Sequence, residues 1–323
     1  MSPTAIALIL VAAVAHASWN LFSKQASVTG AVSFIWLMSA AGTALYAPVI
    51  VIAVIVTRPH LTGLSWAFMA GTGLLQAGYF LFLQSGYRLG DLSLVYPIGR
   101  GTGALLAALA GIVILGERPG AVAIAGIACI VAGIVVIGLP GRAGGKAPAG
   151  AATAPAAGAA STAETTRAVR TAEATGIAGR APSAAGATAF ALLTGTFIAT
   201  YTLWDKYAVS TLRTPPLLQG YAAFPVMLAV FALQARSAGD RTARVWRAYR
   251  LQIIGAAVLA PLAYILVLIA LSFTAVAAVA PAREVSVLFG VLLGRRLLGE
   301  GSLPRRLAAA AAIVAGVVAI AIG

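Results

Sequence analysis

The sequence predicts an all-α polytopic membrane protein with ten transmembrane helices, arranged as two inverted five-helix repeats. Three observations lead there. Hydrophobic residues make up 61% of the 323 residues and charged ones only 9%, with a mean hydropathy of +0.97. A soluble globule cannot hide that much apolar surface. Charge-poor stretches close to the ~20 residues that cross a hydrocarbon core recur along the chain. Short motifs also recur, in the same order, on either side of a central low-complexity gap.

The predicted spans run Thr4 to Phe22, Val32 to Val56, Leu64 to Ser85, Leu92 to Leu115 and Pro119 to Leu139. After the gap come Ala187 to Leu203, Leu217 to Ala235, Leu251 to Leu271, Val276 to Leu293 and Arg306 to Ile322. The opening residues lack the basic region and cleavage site of a secretory signal, so they read as the first membrane helix. Residues 140–187 are rich in Ala, Gly, Thr and Pro and hold no aromatic residue. Such a segment cannot build a core and reads as a disordered linker. It divides the chain into a first repeat, 1–139, and a second, 188–323.

The repeats share more than length. Leu115-Gly116-Glu117 and Leu298-Gly299-Glu300 close equivalent helices, and Arg100 and Arg283 each lie 17 residues before the glutamate. Pro97 and Pro281 stand just ahead of the arginines, and Tyr79 and Tyr264 precede the prolines by 18 and 17 residues. Trp19 to Lys24 (WNLFSK) aligns with Tyr201 to Lys206 (YTLWDK). With five helices per unit, the second copy must insert upside down. Inverted repeats are the usual plan of secondary transporters, with the substrate site between them near the midplane.

The duplicated plan, the string HASWNLFSK and the ends ILGERPG and LLGEGS resemble EamA-type transporters of the drug/metabolite transporter (DMT) superfamily, across both halves. The resemblance implies a ten-helix bundle around a central cavity that moves small metabolites, often outward, with cytoplasmic termini.

Candidate site residues follow from the cost of polar groups in apolar spans. Arg100 sits about 12 Å inside its helix, where an arginine costs about 2.5–3.5 kcal/mol on insertion scales. Its planar fork of donors suits a carboxylate or phosphate. Arg283 and Glu284 lie inside the ninth span. Adjacent helical residues point about 100° apart, so Glu284 is expected to pair with Arg100 and leave Arg283 for substrate. Glu284 is also the candidate for a proton-coupled carboxylate. His16, Asn20 and Lys24 share one face of the first helix. Gln76 and Tyr79 share another on the third, and Tyr96 lies one turn before Arg100. His16, Asn20, Gln76, Tyr79, Tyr96, Arg100 and Arg283 form the expected substrate set. Glu284, Lys24 and Lys206 form the expected coupling or gating set.

Other features read as structural. Glu117 and Glu300 lie beside turns into the following helices, where a carboxylate suits the helix N-terminus. Gly99, Gly103, Ala107 and Gly111 make a small-residue stripe for close helix approach. Trp19, Trp204, Trp246 and Tyr249 suit interfacial belts, and Cys129 a packed small position.

The net charge of +14 does not signal a nucleic-acid partner, because the basic residues fall mostly between apolar spans and suit lipid headgroups. Their distribution conflicts with the family expectation. If the N-terminus is cytoplasmic, that side holds four basic loop residues (Arg58, Arg118, Lys206 and Arg213) and the other holds 16. The positive-inside rule then places the termini outside.

No protease, hydrolase or nucleotide-binding motif and no Cys/His cluster occurs in the sequence, so neither an enzyme, a metal site nor a cofactor is expected. The expected partners are a small-molecule substrate and the bilayer of the plasma (inner) membrane. The expected function is export of small polar metabolites, amino acids or related carboxylates, by alternating access. Uptake of a sugar or organic anion and lipid scrambling are the alternatives.

Overall fold

The structure is a computed structural model that describes residues 1–89, 92–138, 184–286, 289 and 303–322. Among them, all regular structure is helical. The first half contains α1 (Pro3–Thr57), α2 (Gly63–Leu89), α3 (Leu92–Val113) and α4 (Ala121–Gly138). The second contains α5 (Ala184–Ser210), α6 (Pro216–Val230), α7 (Ala232–Ser237), α8 (Gly239–Phe273), α9 (Val276–Ala282) and α10 (Leu303–Ile322).

The exposure pattern is the reverse of a soluble protein. Val51, Ile52, Ile55, Leu74 and Leu105 face outward, while Arg100, Asp205, Arg283 and Glu284 are buried. Lipid rewards apolar side chains on the outside and drives charges to the interior. Five stretches are long and apolar enough to cross a membrane: Pro3–Asn20, Val32–Thr57, Gly63–Gly86, Ala185–Ser210 and Gly239–Phe273.

Two of these lie within α1, whose side chains show that the chain doubles back. Ile9 packs with Leu268 and Leu271 of α8, and Phe22 lies against Gly255. The pairing then reverses: Ser33 bonds Thr242 at 2.9 Å, and Tyr46 donates to the Val258 carbonyl at 2.7 Å. The Ser2 hydroxyl accepts from the Ala5 amide to cap the start of α1.

Several elements depart from expectation. The ninth span, expected from Val276 to Leu293, is interrupted: α9 ends at Ala282, and Arg283 and Glu284 form a turn. The α pattern gives way there: the Arg283 amide still reaches the Val279 carbonyl, whereas the Glu284 amide bonds Pro281, three residues back. The seventh span divides between α6 and α7 at Phe231. The eighth extends back to Gly239 through a kink at Tyr249. Helix α5 takes in 184–187, the end of the expected linker, whereas 140–183 lie outside the described residues. Cys129 is exposed on α4 rather than packed inside.

The halves interlock through α1 on α8, α3 on α5 and α4 on α10. Glycine permits the tightest of these approaches. A Cβ on Gly126 would lie 2.6 Å from the Gly316 carbonyl, and one on Gly316 would lie 2.5 Å from the Gly126 carbonyl. Gly99 and Gly103 play the same part against α5. Because backbone cannot step aside, Gly126→Val should destabilise the protein by about 1–3 kcal/mol, read as a lowered midpoint of thermal unfolding in detergent beside Ala125→Val.

Candidate substrate-binding site

The site is built around the end of α9. The helix stops at Ala282, and Arg283 and Glu284 follow in a turn with both side chains buried. The Nε of Arg100 donates to one Glu284 oxygen at 2.8 Å, and the Nε of Arg283 donates to the other at 3.3 Å. The expected separation of Arg283 from Glu284 is therefore corrected: the long arginine side chain reaches the carboxylate of its neighbour. Arg100 also reaches the Ser286 hydroxyl at 3.4 Å. All three charged residues are deeply buried, at 4%, 7% and 0% exposure for Arg100, Arg283 and Glu284.

One carboxylate thus serves two guanidinium groups. The Nη2 of Arg283 has no hydrogen-bond partner among the described residues. Its guanidinium carbon lies 5.8 Å from the centre of the Tyr201 ring, where the π face supplies some compensation. A buried donor without an acceptor costs about 1–3 kcal/mol, more when charged.

Beside this network lies a cavity with two lobes. The larger, about 60 Å³, is bordered by Trp19, Gln76, Tyr79, Phe80, Phe224 and Met227, among others. The smaller, about 30 Å³, includes Arg283, Ala12 and Val267. His16, Arg100, Tyr201 and Tyr264 border both. The Nε2 of Gln76 is a second buried donor at the cavity without a partner among the described residues. The His16 Nδ1 accepts from the Trp19 indole at 3.1 Å, which leaves the proton of the neutral ring on Nε2. The space holds a few water molecules, so the chamber is contracted. Its chemistry is an aromatic shell with donors at one side.

Of the expected substrate residues, His16, Gln76, Tyr79, Arg100 and Arg283 converge here. Asn20 instead donates to the His16 carbonyl at 2.7 Å, one turn back along α1. The side chains of Tyr96 and Lys24 lie outside the described residues. Lys206, expected to gate, caps carbonyls at the end of α8: Leu271 and Thr274 each accept at 2.9 Å. Trp19 is buried at the cavity, not in an interfacial belt. Trp204 stacks on Phe68, with ring centres 4.0 Å apart, and donates to its carbonyl. Trp246 remains partly exposed.

Glu117 caps a helix N-terminus, but not that of the next helix. Its oxygens accept from the Val276 and Ala277 amides of α9 at 2.7 and 2.8 Å, across the two halves. Glu300 lies outside the described residues.

Sequence reasoning missed Asp205. It is fully buried and accepts from the Thr72 and Tyr264 hydroxyls and from the Gln219 amide at 3.0 Å. Its place one residue before Lys206 made it look like part of a polar helix end. The available signal was the repeat itself, which sets Asp205 against Ser23. Among the described residues, no group of three His, Cys, Asp or Glu is placed to hold a metal ion.

Residues 3–139 match the EamA-like transporter family. The match agrees, over the first half of the chain, with the resemblance read from HASWNLFSK and ILGERPG. The apolar exterior and the five stretches long enough to cross a bilayer mark a multi-pass membrane protein. A protein of solved crystal structure has the same fold, with a TM-score of 0.65 and 19% identity over 98% of each chain. No curated protein matches the sequence.

Glu117→Ala should remove both acceptors from the α9 N-terminus. The expected loss is about 1–2 kcal/mol of stability, read in thermal unfolding. Glu117→Gln, which keeps one carbonyl acceptor, should lose less.

Proposed function

We propose that the protein is a secondary transporter of small polar metabolites in the plasma (inner) membrane. It exports amino acids or related carboxylates by alternating access between two inverted five-helix repeats, ten spans in all. The observation that carries this reading is the Nη2 of Arg283, buried beside a cavity and without a hydrogen-bond partner among the described residues. A substrate carboxylate supplies the acceptor that the protein withholds, and it can do so in the planar geometry a guanidinium favours.

The remaining lining suits the rest of an amino acid. The Gln76 amide offers a second donor. The rings of Trp19, Tyr79, Tyr201 and Tyr264 can face an ammonium group through their π clouds. The repeat behind the inverted arrangement is supported by the matched positions of Arg100 and Arg283. Helix α9, interrupted at the arginine, fits the discontinuous helices found at transporter sites. Nothing in the geometry calls for bond chemistry, and gradient-driven movement suffices.

Counterflow of a labelled amino-acid mixture in proteoliposomes tests the reading. Wild type should accumulate label. Arg283→Ala should weaken apparent affinity by about 10–100-fold, the equivalent of one charge-assisted hydrogen bond. Arg283→Lys should recover only part, because it restores the charge without the fork. Equal uptake by wild type and Arg283→Ala would discard the arginine as anchor. No uptake by folded wild type would overturn the amino-acid reading.

A further inference from the structure

Four charged side chains are buried among the described residues: Arg100, Arg283, Glu284 and Asp205. Their formal charges sum to zero. Three of them form one ion network, and Asp205 stands apart from it. Its hydrogen bonds come from neutral groups only: two hydroxyls, on Thr72 and Tyr264, and the Gln219 amide. The Glu284 carboxylate already has two cationic partners. A carboxylate among neutral donors can accept a proton and keep most of the same partners, because a hydroxyl can turn from donor to acceptor.

Asp205 is also connected to the cavity. The Tyr264 hydroxyl donates to it, and Tyr264 borders both lobes. The Tyr264 ring packs edge-on against Tyr201 with centres 5.9 Å apart, and Tyr201 lies under Arg283. Other ionisable groups around it have different roles. His16 faces the cavity from α1, Arg100 comes from α3, and Arg283 and Glu284 follow α9. Lys206, its chain neighbour, is committed to the carbonyls ending α8. The elements that touch Asp205 from α2 and α6 present Thr72 and Gln219.

We infer that Asp205 is the proton site of the transport cycle, and that one proton on Asp205 accompanies each carboxylate anion loaded on the arginines. The inference rests on the transport reading above and adds its coupling. Loading an anion leaves the buried core with one negative charge in excess, and protonating Asp205 restores neutrality. A medium that penalises net charge therefore favours joint occupancy. Chemically, the step forms one O–H bond at a carboxylate oxygen with a proton from water on one side. The reverse step releases that proton on the other side, and the substrate is unchanged. A metabolic acid accumulated inside would carry protons outward with it. The reassignment moves coupling from Glu284, which both arginines hold, to Asp205.

Infrared difference spectroscopy of the purified full chain in detergent tests this without requiring transport. Stepping the pH should reveal a carboxylic-acid C=O band that vanishes in Asp205→Asn. Pyruvate, as a carboxylate probe, should move the midpoint of that band to higher pH in wild type. By reciprocity, pyruvate should bind more tightly as pH falls. Tyr264→Phe keeps the carboxyl group and cuts its link to the cavity, so the band should remain while its response to pyruvate weakens. In proteoliposomes, Asp205→Asn should retain exchange of the labelled substrate but lose the substrate-evoked pH change of a trapped dye. A band that persists in folded Asp205→Asn, or a midpoint that ignores a bound carboxylate, would overturn the inference. A band that behaves as expected in a wild type that performs no counterflow would sink the transport reading and leave the protonation site standing.

Discussion

The sharing of Glu284 between Arg100 and Arg283 is the constraint on which the rest of the molecule depends. Each arginine alone would carry a large cost in an apolar interior. A single carboxylate offsets both, and its hydrogen bonds tie α3 of the first half to the chain just beyond α9 of the second. Removing one partner from such a buried set typically costs about 3–5 kcal/mol, because a bare charge is left behind. The network also fixes the character of the cavity. Two positive charges meet one negative charge there, so the lining remains receptive to an anion.

That network sits where α9 is interrupted, with Arg283 and Glu284 in the turn that follows Ala282. Interruption leaves α9 as seven residues, too short to hold together on helix propensity alone. Its environment supplies the missing stability. Glu117 satisfies the first amides of α9, and Lys206 satisfies carbonyls where α8 ends. Each charge has the sign that the helix dipole favours at its end. One clamp comes from each half, so the turn at Thr274 and Ala275 is held from both sides. The site and the clamp are the two ends of the same short helix.

What was legible in the sequence follows from this physics. The apolar spans and the two arginines were readable because a charge in hydrocarbon is conspicuous and costly. His16, Gln76 and Tyr79 were readable because they break apolar faces at helical spacing. The Arg283–Glu284 contact was not, because periodicity fixes where side chains leave the backbone and not how far a long arginine reaches. The partner of Glu117 was hidden by sequence distance: a local reading supplies the next helix, whereas the fold brings in another 159 residues away. Asp205 was hidden by context, since an Asp-Lys pair near a helix end looks solvated. Trp19 was misjudged for the same reason, because closeness to an expected helix end says little about the neighbours a side chain finds inside the bundle.

The contracted cavity sets a condition on any cargo. Metabolite pockets usually enclose about 300–1,000 Å³, far more than the 60 Å³ of the larger lobe. Admission therefore requires the surrounding helices to separate. The polar tie that resists separation there is the ion network, since most other contacts around the cavity are aromatic and apolar and can slide. Pulling Glu284 away from an arginine in an empty chamber exposes a bare charge, so the empty protein resists opening at that point. A carboxylate that takes over one guanidinium removes the penalty as it binds. On the proposed reading, Glu284 is thus the residue a substrate anion competes with, and anion binding and loosening of the bundle become a single equilibrium rather than two.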